Sequence, residues 1–429
     1  MKKNTSIFLL LLFVVSSSML AQTTSNEYHL IIEGYDWAAA ANKVVLPMGE
    51  EVASVNYQDF EVSVSRSTAC AKLPANQTTG KRTVIYAYVS NDKGEKQAKD
   101  QFITLVLAVS PNDILDAPMQ YFNNAKCSGN QWVDYQLEIK SKTNQKIWNK
   151  EKKRFLPLVD QFDLTGKYEY DEQLTMSYAF YQPKTENKKS PLIIWLHGGG
   201  EGGFDPSIPL LANRAANYAS KEVQSHFDGA YVLVPQCPGA CMHNKNGVAT
   251  WGKENDVYNQ GLMALIKDFV KQHPNIDEDR IYVGGCSNGG YMSLKLLLLF
   301  PDYFAAAFPS ALAYKSEYIS DKQIELIKDI PMWFIHAKDD PVTRRDETVL
   351  PVYQRLIKAG AKNVHFSDYD HVVDLTNLYG GQDYHYLGHF SWIYSHANTA
   401  RLDFDGKPIR VNGKAVTIME WLAAQKKNN

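Results

Sequence analysis

RIYVGGCSNGGY, residues Arg280 to Tyr291, is the stretch from which the rest of this chain is read. Arg280, Ile281, Tyr282 and Val283 form a brief β-favouring run. Gly284, Gly285, Cys286, Ser287, Asn288, Gly289 and Gly290 follow at once, and beyond Tyr291 come helix formers with few breakers. Strand, sharp turn and helix in that order are the setting of a GxSxG nucleophile elbow. The glycines answer to crowding: the turn strains the serine backbone, and Gly285 and Gly289 flank it where a Cβ would meet neighbouring chain. Ser287 then stands above the sheet as the candidate nucleophile. The Asn288 N–H, at the start of the helix, is placed to receive a developing oxyanion. Three fixed positions recur by chance in roughly 0.1 to 0.2 of chains this long, so the flanking strand and helix carry the inference.

A serine at its free pKa is a poor nucleophile and needs a base held by a carboxylate. A second strand, Leu192 to Leu196, runs into His197, Gly198, Gly199, Gly200, Glu201, Gly202 and Gly203. Such a loop exposes backbone N–H groups at the carboxyl end of the sheet, and Gly199 and Gly200 are the candidates for a second oxyanion donor. A phosphate loop would end in GK[ST], which is absent here. In chain order the acid follows the serine. Asp339 and Asp340 both lie just past the strand Met332 to His336. The base comes last, and the loop after Val364 to Phe366 offers His371, His385, His389 and His396. His371 is nearest to the strand, whereas His389 has Gly388 before it to permit a tight turn.

The chain has 429 residues, 45% hydrophobic and 21% charged, with a net charge of −2. That is room for two cores, with no electrostatic argument for nucleic acid or an anionic membrane as partner. Lys2 and Lys3, an apolar run from Ile7 to Val15 and a small-residue end at Ala21 predict a signal peptide over 1–21, hence a secreted or periplasmic protein with no membrane span in its mature form. Of five cysteines, an odd count leaves at least one free, and Cys286 beside the nucleophile is the candidate. Cys237 and Cys241 flank a Pro-Gly-Ala turn that a disulfide could close. They do not make a metal site, His243 being the only further ligand nearby.

Residues 26–141 alternate in the manner of strands, as at Phe60, Val62 and Val64 or Val133, Tyr135, Leu137 and Ile139, which predicts an all-β sandwich. Its aromatics read as core and strand-face packing rather than sugar platforms. Lysine-rich 142–170 reads as an irregular connector, and 171–429 as alternating strands and helices around a mostly parallel sheet. Helices are expected at Pro209 to Ala219, Val257 to Gln272, Gly289 to Phe300, Val349 to Ala359 and Met419 to Gln425. The sandwich reads as an accessory domain serving substrate access or association, including a homo-oligomer, and not chemistry.

Taken together, GCSNGG, LHGGGEGG, FIHAKDDPV and GHFSW resemble secreted esterases of the α/β-hydrolase superfamily, near feruloyl-type and polyhydroxyalkanoate-depolymerase-type esterases and prolyl-oligopeptidase-like domains. IIEGYDWAAAANK followed by VVLPMG resembles the immunoglobulin-like N-terminal domain of some bacterial esterases. The resemblance implies an α/β-hydrolase fold behind an immunoglobulin-like domain, and a serine hydrolase of small or polysaccharide-linked carboxylic esters that needs no cofactor. In such families the acid lies four residues after the histidine of an HGxxD turn, which is Asp340 after His336, although Ala337 replaces the usual glycine. The GHxSW pattern makes His389 the base, with Asp374 to Gly388 an inserted flap whose aromatics would line the pocket. A serine peptidase is the nearest alternative, and a non-catalytic carbohydrate-binding protein on a hydrolase scaffold is another.

Overall fold

Alternation of buried and exposed side chains builds the first half of the molecule. In a computed structural model describing residues 26–185 and 188–427, strands whose inward positions carry Val, Ile, Leu and Tyr pair into two facing sheets. The predicted signal peptide lies outside the described residues. The strands are β1 (Glu27–Gly34), β2 (Ala39–Val52), β3 (Phe60–Ser67), β4 (Thr79–Arg82), β5 (Val84–Ser90), β6 (Asp100–Leu107), β7 (Met119–Asn123), β8 (Ser128–Trp132), β9 (Asp134–Ser141), β10 (Ile147–Trp148) and β11 (Lys150–Phe155). One sheet runs β11-β1-β2-β6-β5 and the other β10-β9-β3-β4, with β7 and β8 a separate hairpin. Tyr28, Leu30, Ile103, Leu105, Leu137 and Ile139 are buried between them, as one-sided strands require. Tyr57 and Tyr86 are exposed, so core packing does not account for every aromatic of the sandwich.

Continuous apolar runs build the second half. Strands β12 (Asp163–Glu169), β13 (Thr175–Tyr181), β14 (Ser190–Leu196), β15 (Tyr231–Gln236), β16 (Ile276–Cys286), β17 (Ala306–Ser310), β18 (Met332–Ala337) and β19 (Val364–Tyr369) make one sheet in the order β12-β13-β15-β14-β16-β17-β18-β19. The first two pairings are antiparallel and the rest parallel. Every residue of β14 and β18 is buried, since helices cover both faces of a parallel sheet. Those helices are α1 (Ser207–Ala212), α2 (Lys221–Phe227), α3 (Asn259–Gln272), α4 (Asn288–Leu299), α5 (Asp321–Ile327), α6 (Val349–Lys358), α7 (Ile393–His396) and α8 (Ile418–Ala423). Helix α3 turns Leu262, Leu265, Ile266 and Phe269 inward, and α4 is buried almost throughout. Each fully buried leucine there contributes about 1.5–3 kcal/mol.

Two expectations are corrected. Residues 142–170 are not an irregular connector: β11 pairs parallel with β1 in the sandwich, and β12 is the edge strand of the second sheet. Charged and polar residues at the exposed positions disguised both strands, and the partner of β11 is distant in sequence. The helix expected over Pro209 to Ala219 is broken after α1, because Arg214 turns left-handed at φ 56° and ion-pairs with Asp36 of the sandwich at 2.6 Å. Helix α2, with Ser220 as its N-cap, was not foreseen.

One apolar core runs across the domain boundary. Tyr28, Leu105 and Trp148 of the sandwich belong to the same buried cluster as Trp195, Tyr218, Trp333 and Trp421 behind the parallel sheet. A second cluster, with Leu262, Met292 and Phe366, fills the other face. Cys70 and Cys127 form a disulfide in the sandwich, Cys237 and Cys241 form another, and Cys286 is free and buried.

Candidate active site

Ser287 sits between β16 and α4 at φ 54° and ψ −113°, a strained backbone held by its N–H to Ser310 O at 3.0 Å. Glycine is required on both sides. A Cβ on Gly285 would lie 2.6 Å from Leu196 O, and one on Gly289 would be driven into the same carbonyl. Ser287 is half-buried, and Asn288 opens α4, so its N–H has no partner within the helix.

The structure separates the two carboxylates that follow β18. Asp340 is buried. Its Oδ1 accepts from the N–H groups of Val342 (2.8 Å) and Thr343 (3.0 Å), and its Oδ2 accepts from the Thr343 hydroxyl at 2.6 Å and from His389 Nδ1 at 2.9 Å. His336 Nε2 lies 3.2 Å from Oδ2 and 2.7 Å from Thr343 O. Burial pushes the Asp340 carboxyl up, but the hydrogen bonds from His336 and His389 outweigh it and hold it well below the usual carboxylate range. Asp339, by contrast, is exposed and pairs with exposed His371 at 2.8 Å, and His371 stacks on His385 at 4.1 Å. His396 is buried between Trp195 and Tyr218, away from both pairs.

With Nδ1 held by Asp340, His389 has Nε2 left for proton exchange. Ser287, Asp340 and His389 all follow the carboxyl ends of parallel strands, β16, β18 and β19, where open α/β sheets gather their chemistry. Gly388, in front of His389, packs on Asp339 where a Cβ would strike the carboxylate.

The glycine loop after β14 closes the site. Gly199 lies against Asn288, whereas Gly200 faces Tyr121 and Asn130 on the hairpin β7–β8. Glu201 is 4% exposed and receives the Asn130 amide at 2.6 Å. Burial pushes its carboxyl up to about 7, and the hydrogen bonds from Asn130 and the backbone at Gly198 only partly oppose this. Trp132 Nε1 donates to Asp205 Oδ2 at 3.0 Å just beyond. These contacts were not foreseen, because no local pattern in the sequence announces a pairing across 71 residues. The sandwich therefore supports the loop directly.

The flap is corrected as well. Asp374 ties it into a turn through the N–H groups of Thr376, Tyr379 and Gly381, and its aromatics face the sandwich. Tyr379 meets Trp37 edge-on at 5.0 Å, and Tyr386 stacks over Trp37 at 6.5 Å. The histidine beside the cysteine pair is His197 rather than His243. Its Nε2 and the two sulfurs lie within 4.8 Å of one another, but the sulfurs are bonded to each other and offer no thiolate to a metal.

Residues 27–152 match the family described as the esterase Ig-like N-terminal domain, and residues 220–343 match the prolyl oligopeptidase family. Poly(3-hydroxyalkanoate) depolymerase C of Paucimonas lemoignei is 30% identical over 126 residues, 28% of this chain and 28% of that protein. Poly(3-hydroxybutyrate) depolymerase of Ralstonia pickettii is 29% identical over 131 residues, 29% of this chain and 25% of that protein. This chain thus spans about a quarter of the length of the curated relatives it matches. The crystal structure of a thermostable esterase superposes with a TM-score of 0.72 at 22% identity, covering 93% of this chain and 99% of the other. An immunoglobulin-like domain of the esterase type, followed by an α/β-hydrolase domain, is the architecture of this protein.

Proposed function

We propose that this protein is a serine hydrolase of carboxylic esters acting through an acyl-enzyme. The observation that carries the proposal is the buried Asp340–His389 hydrogen bond of 2.9 Å, on the same sheet edge as the strained Ser287. In this reading His389 Nε2 takes the Ser287 proton as Oγ attacks the acyl carbon, and Asp340 fixes the imidazole and stabilises its charge. The N–H groups of Asn288 and Gly199 receive the oxyanion, Gly199 being chosen over Gly200 because it lies against Asn288. His389 then protonates the departing alcohol, and water, activated by the same imidazole, releases the acid. No step in this scheme calls on a metal or cofactor.

The substrate is proposed to be a small or polymer-linked ester, feruloyl and acyl esters on polysaccharide included. The local likeness to two depolymerases of polymeric esters supports that class. Export to an oxidising compartment is proposed with it, supported by the two disulfides. The match to the prolyl oligopeptidase family favours a peptidase as second reading. Wild type and Ser287→Ala are to be compared on p-nitrophenyl acetate, feruloyl and hydroxyalkanoate esters and on a peptide anilide. Ester turnover that falls by several orders of magnitude in the variant is expected. Anilide turnover without ester turnover would favour the peptidase, and an inert wild type would refute both.

A further inference from the structure

We propose that the Cys237–Cys241 disulfide is a positioning strap that holds the two arms of the oxyanion site, the glycine loop and the start of α4, in register with each other. This role rests on the esterase reading above. The disulfide follows β15 directly, spans a separation of 4 residues and has both sulfurs buried. Restraint of the unfolded chain grows with the loop that is closed, so a ring this small contributes less to stability by that route than a longer loop would. What a small ring does well is to fix the directions of the peptide groups on either side of it.

Those peptide groups reach both arms. At the near end, Cys237 N–H donates to His197 Nε2 at 3.1 Å, and Cys237 O accepts from Gly203 N–H at 2.9 Å, one bond to each end of the glycine loop. In the middle, Gly239 lies so close to Gly202 that a Cβ on Gly202 would sit 2.6 Å from Gly239 O. At the far end, Met242 N–H donates to Asn288 Oδ1 at 2.8 Å, and Asn288 Nδ2 in turn donates to His197 O at 3.1 Å. Strap to His197, His197 to Asn288 and Asn288 to strap form a closed circuit. The N–H groups of Gly199 and Asn288 belong to the two arms this circuit joins. Burial lowers the His197 pKa to about 4, which keeps Nε2 an acceptor for the strap. Oxyanion donors must be held within about 0.5 Å of the position the charge will occupy, so slack in the circuit weakens the transition state more than the bound substrate.

The test compares wild type, Ser287→Ala, the double variant Cys237→Ser/Cys241→Ser, and Asn288→Ala. The last keeps the disulfide and the backbone donor but cuts the strap from the elbow. Each is assayed for kcat and KM on p-nitrophenyl butyrate and for the inhibition constant of an aryl trifluoromethyl ketone, which mimics the tetrahedral oxyanion. The strap predicts a fall in kcat of about 10- to 100-fold in both strap variants, a KM changed less than about twofold, and inhibitor binding weakened in step with kcat. A folded double variant with wild-type kcat, or a kcat loss with unchanged inhibitor affinity, would overturn it. Should the double variant not fold, Asn288→Ala decides by the same two criteria. A wild type without ester turnover, or a Ser287→Ala protein that retains it, brings down the esterase reading and the strap together. A Ser287-dependent enzyme indifferent to both strap changes brings down the strap alone.

Discussion

Asp339 and Asp340 are neighbours in the chain, yet one is exposed beside His371 and the other is buried beside His389. The sequence offered both acids and both histidines, but how they pair depends on the turn at Val342 and Thr343, whose N–H groups draw Asp340 inward. His389→Ala is expected to lower ester turnover at least about a thousandfold and His371→Ala less than about twofold; the reverse pattern in kcat would transfer the base to the exposed pair. Glu201 supplies a pH signature of its own. Raised to about 7 when folded from 4.5 otherwise, it keeps a proton that the unfolded chain has lost. Its contribution is therefore fully present below about pH 4.5 and is lost as the pH rises toward 7, by about 3 kcal/mol in all. Glu201→Gln, which can still accept from Asn130, should gain stability relative to wild type over that interval. Denaturant melts at pH 4.5 and 7.5 check this, and a wild-type-to-variant difference equal at both would contradict it.

Elements with a one-faced or continuous apolar pattern were legible, as in β3, β14, α3 and the strand and helix around Ser287. Elements with few apolar positions, or defined by distant partners, were not. Strands β11 and β12 are largely polar and are strands because β1 and β13 pair with them, while α1 ends where Arg214 meets Asp36. The hairpin β7–β8 was missed although its strands pair with each other, because neither strand alternates cleanly between buried and exposed positions, and it is the element that touches the glycine loop. Asn130→Ala takes from the buried Glu201 one of its two side-chain partners, Asn213 being the other, and is expected to cost about 0.5–1.5 kcal/mol. It should also lower kcat through the loosened loop. Equilibrium denaturation together with steady-state kinetics measures both, and wild-type values for each would show the contact to be idle.

At the scale of the whole molecule, sandwich and hydrolase share one core, so they are expected to unfold together. A single calorimetric transition of the full chain is predicted, against two well-separated ones if each domain stands alone. A fragment starting at Asp171 lacks β12 and uncovers core residues that now face the sandwich, and it should aggregate or melt without cooperativity; a soluble fragment with a sharp transition would contradict the shared core. The fold class was readable because two hydrophobic periods divide the chain, but the contact between the halves was not, since none of its residues signals a partner locally. The central claim, an acyl group carried by Ser287, has a direct measurement. The intact protein is mixed with p-nitrophenyl acetate, quenched in acid within milliseconds, and mapped by peptide mass spectrometry. An acetyl group on Ser287, absent from Ser287→Ala, is the predicted result, and turnover with Ser287 unmodified or the acetyl group on another residue would contradict it.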